Sequence, residues 1–146
     1  MNEPTKEFFT TRAPEETWRI AEGLLPRLAG GAVVALHGDL GAGKTTFTQG
    51  LAIAMGVANP VASPTFALCA EHRGTTQRLI HLDLYRMGSP EELLEIGFLD
   101  FTTPPNIVVV EWPERAGALF PATAWHVWFE TGDGPNARRV KIEAPH

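Results

Sequence analysis

The residues best suited to chemistry form a glycine-rich stretch that ends in a lysine and a threonine. In order they are Gly38, Asp39, Leu40, Gly41, Ala42, Gly43, Lys44 and Thr45. Glycines let backbone N–H groups turn around a phosphate, and a following helix adds the positive end of its dipole. We expect Lys44 to reach the β- and γ-phosphates of a nucleotide and the Thr45 hydroxyl to bind Mg²⁺. The pattern therefore predicts a phosphate-binding loop.

An acid at the end of a buried strand is the second part that such a loop requires. Residues 107–110 are Ile-Val-Val-Val, an apolar run typical of a buried strand, and Glu111 follows directly. A carboxylate there can hold the hydration shell of Mg²⁺. Glu111 is thus the candidate acid, and the alternative is a surface carboxylate at a strand end. Trp112, the next residue, is either part of the active surface or a packed aromatic, and core packing is favoured.

A third group of polar residues lies at positions 81–86, which read His-Leu-Asp-Leu-Tyr-Arg. Strand alternation places His81 and Asp83 on one face and the two leucines on the other. Asp83 can act on Mg²⁺ or on an attacking water, and Arg86 can neutralise phosphate charge. A structural pair of Asp83 with Arg86 or with His81 is the open alternative.

A hydroxyl-bearing loop forms the fourth group, at positions 63–66, which read Ser-Pro-Thr-Phe. Thr65 can reach the γ-phosphate and Mg²⁺ as a switch-loop threonine does. On motif chemistry alone, a proline turn with capping hydroxyls is favoured.

The elements that must position these groups follow from apolar periodicity and from the turn residues. We expect helices over residues 14–29 and about 44–55, and a short helix to about residue 96 with Ser89 as N-cap and Pro90 at its first position. Buried strands are expected over 32–36 and 107–110. Strands 66–71 and 78–85 form a hairpin, and strands 125–130 and 137–142 form a terminal hairpin at the sheet edge. The sum is an α/β domain with a mixed sheet.

Composition restricts the class of protein and its partners. The chain has 146 residues and a net charge of −5, which predicts a single domain over residues 1–146. A net acidic chain lacks the positive footprint of non-specific nucleic-acid binding, so no DNA partner is expected and any RNA is held by another protein. No apolar run approaches a membrane span and no secretory signal is visible. With the lone Cys69, these features favour a cytoplasmic protein without a membrane partner.

Taken in order, the pieces closely resemble the TsaE (YjeE) family of bacterial ATPases. The glycine loop with Thr46, the 63–66 and 81–86 segments, and Glu111-Trp112-Pro113 carry the resemblance, which covers about residues 33–121. It implies a P-loop three-layer α/β sandwich with a mixed, partly parallel sheet. It also implies a role in making N6-threonylcarbamoyladenosine at position 37 of tRNAs that read codons beginning with A. In that role ATP and Mg²⁺ are bound, TsaD and TsaB are the partners, and tRNA is met indirectly.

By this resemblance, the nucleotide would be bound by Asp39, Leu40, Gly41, Ala42, Gly43, Lys44, Thr45 and Thr46. Thr45 and Glu111 would hold Mg²⁺, Asp83 would assist hydrolysis, and Thr65 would lie in the switch-like loop. Adenine recognition would involve residues 10–12, with Thr11 as the candidate contact.

Three other functions use the same loop. A small-molecule or nucleotide kinase needs an arginine-bearing lid, and after Glu111 only Arg115, Arg138 and Arg139 remain as arginines. A GTPase is disfavoured because no Asn-Lys-x-Asp sequence occurs. In the third, a nucleotide-gated binding module, association is the function and hydrolysis is incidental. Whether Arg86, Arg138 or Arg139 faces phosphate stays open.

Overall fold

The computed structural model describes residues 6–39, 41–58 and 68–145. Within these residues the strands are β1 (Lys6–Thr11), β2 (Ala32–His37), β3 (Cys69–Arg73), β4 (Arg78–Asp83), β5 (Ile107–Glu111), β6 (Trp125–Thr131) and β7 (Arg138–Glu143). The helices are α1 (Pro14–Leu28), α2 (Lys44–Ala54), α3 (Glu91–Glu95) and α4 (Phe98–Phe101), and a 3₁₀ helix spans Pro113–Leu119.

The strands form one mixed sheet in the order β1-β7-β6-β2-β5-β4-β3. β2 pairs in parallel with β5 and β6, and β4 pairs in parallel with β5, whereas β1, β3 and β7 join antiparallel. Parallel strands end at the same edge of a sheet. The residues that follow β2, β4 and β5 are therefore brought to one edge.

Helices cover both faces of the sheet, and each face has its own apolar core. Residues of α1 and α2 pack on one face with Ile107 and Val109 of β5. Residues of α3, α4 and the 3₁₀ helix pack on the other face with Val108 and Val110. These four β5 side chains are fully buried, and burial stabilises each by about 1.5–3 kcal/mol relative to exposure. The arrangement confirms the predicted three-layer α/β sandwich.

The expected elements are present, with corrections at the sheet edge. β1 was not predicted, and it pairs with the outer side of β7. The β6–β7 hairpin is consequently interior to the sheet, and the prediction that it forms the edge is wrong. The sequence of β1 gives a weak strand signal because its two apolar residues, Phe8 and Phe9, are adjacent rather than alternating, and Phe8 is 73% exposed. Edge strands with one open face have this character.

Smaller differences concern element ends. β4 ends at Asp83 rather than at residue 85, and β3 extends to Arg73; residues 66–67 of its expected start lie outside the described residues. Pro90, not Ser89, is the N-cap of α3, and no side-chain cap bond forms. Pro90 already has helical dihedral angles, so only the hydrogen-bond criterion moves the boundary. In the part of the chain that is described, no helix is long and apolar enough to cross a membrane.

Candidate active site at the carboxyl edge of the sheet

The glycine-rich loop joins β2 to α2, as its motif requires. Its glycines Gly38, Gly41 and Gly43 have φ of +145°, +80° and +118°, values that side-chain-bearing residues rarely adopt. A Cβ at Gly38 would lie 2.7 Å from the Phe129 carbonyl oxygen, and one at Gly43 would meet the Phe129 ring. The loop is thus seated against β6, and glycine is required where it approaches that strand.

Hydrogen bonds give the loop its turn. The Ala42 N–H donates to the Asp39 carbonyl at 3.1 Å, and the Phe47 N–H donates to the Gly43 carbonyl at 3.0 Å, which begins α2. Ala42 is buried, whereas the predicted contacts Thr45 and Thr46 are half-buried in the first turn of the helix. Leu40, also a predicted contact, lies outside the described residues. The loop leads directly into the N-terminus of α2, where backbone donors and the dipole favour an anion.

A buried line of charge lies beside the loop. Lys44 Nζ is 3.9 Å from Glu111 Oε1, and His81 Nε2 is 2.6 Å from Glu111 Oε2. All three side chains are at most 5% exposed. The Glu111 carboxylate therefore bridges the two, with a hydrogen bond to His81 and a longer ion-pair contact to Lys44, and the buried Nδ1 of His81 has no hydrogen-bond partner among the described residues. Glu111 holds the loop lysine in place, and His81 fixes the carboxylate.

Asp83 lies next to this line, on the neighbouring strand. It is the register partner of Glu111, and its Oδ1 accepts the Tyr85 N–H at 3.0 Å. Burial raises the pKa of the Asp83 carboxyl above its ordinary value; the Tyr85 bond opposes the rise, and Glu111 adds to it. Among the described residues, no ion pair joins Asp83 to Arg86 or to His81, so the structural pairing considered above is absent there and His81 contacts Glu111 instead.

Trp112 belongs to the site as well as to the core. Its backbone is left-handed, with φ of +58°, and this turns the indole back across the site. Lys44 Nζ lies 4.3 Å above the ring centroid, and the Tyr85 ring centroid is 5.0 Å away. Half-buried at the margin of the second core, Trp112 covers the lysine. Core packing was favoured over a place at the active surface, and the structure shows both.

The terminal hairpin reaches the loop through one arginine. Arg138 Nη2 donates to the Gly41 carbonyl at 3.1 Å, whereas Arg139 pairs with Asp133 at 3.7 Å and Arg86 is exposed. Thr11, the candidate adenine contact, is the register partner of Arg138 in β1. Its buried hydroxyl accepts from Thr17 at 3.2 Å. The end of β1 therefore lies beside Arg138 in the sheet.

The structure brings Lys44, Glu111 and Asp83 together at one edge, whereas the proposed switch residue Thr65 lies outside the described residues. Within those residues, no group of three His, Cys, Asp or Glu side chains could hold a metal alone. Mg²⁺ in nucleotide sites uses one or two carboxylates, waters and phosphate oxygens. The hard oxygen donors of Thr45 and Glu111 beside a glycine cradle fit that requirement, and the cradle fits the phosphates.

Three residues that the motifs did not reveal shape the site. His81 was considered as a partner of Asp83 but contacts Glu111, Arg138 was one of three candidate arginines, and for Trp112 packing was favoured over a place at the active surface. The alternation of residues 81–86 was the available signal for His81. Nothing local in sequence could have found Arg138, because its contact depends on strand order.

A phosphate-type loop between a buried strand and a helix, with an acid at the end of the adjacent parallel strand, defines the class. This is the P-loop NTPase fold. The crystal structure of YdiB from Bacillus subtilis superposes with a TM-score of 0.80 at 27% identity, over 100% of this chain and 90% of that one.

Sequence comparison gives the family. The model for threonylcarbamoyl adenosine biosynthesis protein TsaE matches residues 11–140. A tRNA threonylcarbamoyladenosine biosynthesis protein TsaE of a Nostoc strain is 39% identical over 97% of this chain and 87% of its own length. The protein of that name from Aquifex aeolicus is 44% identical over 69% and 72%. The chain belongs to the TsaE family, which confirms the resemblance drawn from its motifs.

Proposed function

We propose that the chain is a Mg²⁺-dependent ATPase required for N6-threonylcarbamoyladenosine formation at position 37 of tRNAs reading codons that begin with A. It would act on a complex of TsaD- and TsaB-type proteins. The buried Lys44–Glu111–His81 line beside the glycine loop supports the catalytic part. The printed names of the relatives, tRNA threonylcarbamoyladenosine biosynthesis proteins, support the pathway.

Binding would exchange one partner of Lys44 for another. Without nucleotide, its ammonium is neutralised by Glu111 and covered by Trp112. Phosphate oxygens in the loop offer a stronger, charge-assisted set of acceptors. Glu111 stays fixed by His81 through its other oxygen when the lysine turns to the phosphates. The residues that would then hold Mg²⁺ are Thr45 and Glu111.

Hydrolysis requires an in-line water and charge stabilisation, and the proton that the water loses passes through Asp83 to solvent. The water oxygen forms a bond to the γ-phosphorus as the bond to the β–γ bridging oxygen breaks, giving ADP and phosphate and releasing one proton. Lys44 stabilises charge on the phosphate oxygens. Bound Mg²⁺ supplies further neutralisation of that charge. Asp83, register partner of Glu111, orients the water through its carboxylate.

Partners would supply the contact with RNA. The chain carries 12 Lys and Arg against 17 Asp and Glu, a balance unsuited to holding tRNA by charge. An ATPase that resets a TsaD–TsaB complex between rounds needs no tRNA grip of its own. Slow hydrolysis by the isolated chain is expected if the partner completes the site.

Reconstituted tRNA modification tests the proposal. The TsaD–TsaB pair, tRNA, the threonylcarbamoyl donor and ATP are combined with the wild-type chain, Asp83→Asn, or the exposed control Asp100→Asn. We expect wild type and Asp100→Asn to support many rounds of modification per complex and Asp83→Asn to support about one. Equal modification with and without the chain would reject the proposed role. Full turnover with Asp83→Asn would remove that residue from hydrolysis.

A further inference from the structure

Arg138 makes an unusual set of contacts for a cation near a phosphate loop. Its guanidinium donates from Nη2 to the Gly41 carbonyl at 3.1 Å, and from Nη1 to the Ala137 and Pro135 carbonyls at 2.9 and 3.1 Å. Among the described residues no carboxylate lies within ion-pair distance of it. The arginine is thus held by its own hairpin while one nitrogen binds the loop.

The contact falls on a peptide unit that is also held at its other end. The Gly41 carbonyl accepts from Arg138, and the N–H of the same unit, on Ala42, donates to the Asp39 carbonyl at 3.1 Å. A planar trans peptide pinned at both polar ends has a fixed orientation. Fixing this unit removes one source of freedom from the chain that leads into Gly43 and Lys44.

The stem of the arginine also lines the loop. A Cβ at Gly43 would lie 4.0 Å from Arg138 Cγ and 3.4 Å from the Phe129 ring. Both neighbours belong to the β6–β7 hairpin. The glycine loop is therefore seated on this hairpin by packing and by one charge-assisted hydrogen bond.

We propose that Arg138 is a positioning residue that keeps the glycine loop in its phosphate-binding conformation before a nucleotide arrives. This role rests on the proposed function, because it concerns nucleotide binding by the same loop. Its consequence is affinity: if the untethered loop adopts the competent conformation about a tenth of the time, the dissociation constant rises about tenfold. ATP and ADP are affected equally, because the tether acts on the loop and not on the γ-phosphate.

The neighbouring arginine provides a matched control. Arg139 precedes Val140 on the same strand, is exposed, and pairs with Asp133 away from the loop. Dissociation constants for Mg·ATP and Mg·ADP are measured by calorimetry for wild type, Arg138→Ala, Arg138→Lys and Arg139→Ala. Thermal unfolding without nucleotide is measured alongside. Lys44→Ala reports separately on the phosphate site itself.

We expect Arg138→Ala to bind both nucleotides about tenfold more weakly, with the melting temperature of the free protein changed by less than about 2 °C. Arg138→Lys should recover part of the loss, since an ammonium can donate to the Gly41 carbonyl. Arg139→Ala should match wild type. Wild-type affinity in Arg138→Ala, or an equal loss in Arg139→Ala, would overturn the role. A loss much larger for ATP than for ADP would overturn it in favour of direct γ-phosphate contact. If Lys44→Ala binds nucleotide as tightly as wild type, the loop is not the phosphate site, and the proposed function is rejected whatever the Arg138 variants show.

Discussion

Lys44 and Glu111, which come from different elements, face each other with 3.9 Å between Nζ and Oε1, and both side chains are at most 5% exposed. A buried lysine without a partner would be costly, and the carboxylate removes that cost in the nucleotide-free protein. The pair therefore holds the loop lysine in place for phosphate. It also ties the phosphate loop to the acid at the end of β5.

Replacing the loop lysine should abolish most nucleotide binding. Lys44→Ala removes charge-assisted donors to phosphate, and we expect the affinity for Mg·ATP to fall by at least about tenfold. Lys141→Ala is the control, because Lys141 Nζ likewise lies over an indole, 4.1 Å from the Trp128 ring centroid, but on β7. Calorimetric titration measures both. Unchanged affinity in the Lys44 variant would contradict the assignment of the site.

Neutralising the buried acid should separate binding from hydrolysis. Glu111→Gln keeps the shape and a contact for His81, so nucleotide affinity should stay within about threefold while turnover falls by about 10²-fold or more. The exposed Glu114→Gln in the 3₁₀ helix serves as control. Steady-state phosphate release at saturating Mg·ATP is the measurement. Wild-type turnover would exclude Glu111 from the reacting centre.

Two loop glycines should respond differently to alanine. At Gly38 the new Cβ would meet the Phe129 carbonyl oxygen at 2.7 Å, and φ is +145°, so we expect a loss of about 2–3 kcal/mol in the free energy of unfolding. At Gly41 no heavy atom of the described residues is within 4 Å and φ is +80°. Only backbone strain of about 1 kcal/mol is expected there. Urea unfolding compares them, and equal losses would contradict the close approach of the loop to β6.

His37, at the end of β2, should make stability depend on acidity. Burial, then the neighbouring His126, lowers the pKa of His37 from 6.5 to about 4. Between these values the unfolded chain binds the proton and the folded one does not, so the free energy of unfolding decreases as the pH falls from about 6.5 to about 4. Above pH 7 it is unaffected by this group.

After a discount for partial exposure, the loss amounts to about 1–2 kcal/mol. Urea unfolding of wild type and His37→Gln at a series of pH values isolates the contribution, since carboxylates titrate in both. The difference in unfolding free energy between the two proteins should shrink toward pH 4. Parallel pH profiles would show that His37 takes no part.

Short sequence patterns predicted the glycine loop and the buried strands, because both depend on neighbouring residues. The shape of the glycine loop depends on backbone conformations that glycine allows, so its sequence shows where the chain turns. Apolar runs such as residues 107–110 predicted buried strands, with Glu111 at the end of one of them. The fold class and the strand that carries the acid could both be inferred.

Contacts between distant segments could not be inferred. The His81–Glu111 bond depends on the register of two strands, and the Arg138–Gly41 bond depends on β6 and β7 lying beside β2. The left-handed turn at Trp112 overrides the preference of a bulky side chain, so its place over Lys44 has no signal in the sequence. β1 was not predicted because it is an edge strand with an exposed face.

Steady-state ATP hydrolysis tests the central claim most directly. The purified chain is assayed alone and with the TsaD–TsaB pair from the same source, with Lys44→Ala as the control in both conditions. We predict a low rate alone, a clear rise with the pair, and no activity above background in the variant. A rate indifferent to the pair, and raised instead by a small phosphate acceptor, would contradict the account and indicate a kinase.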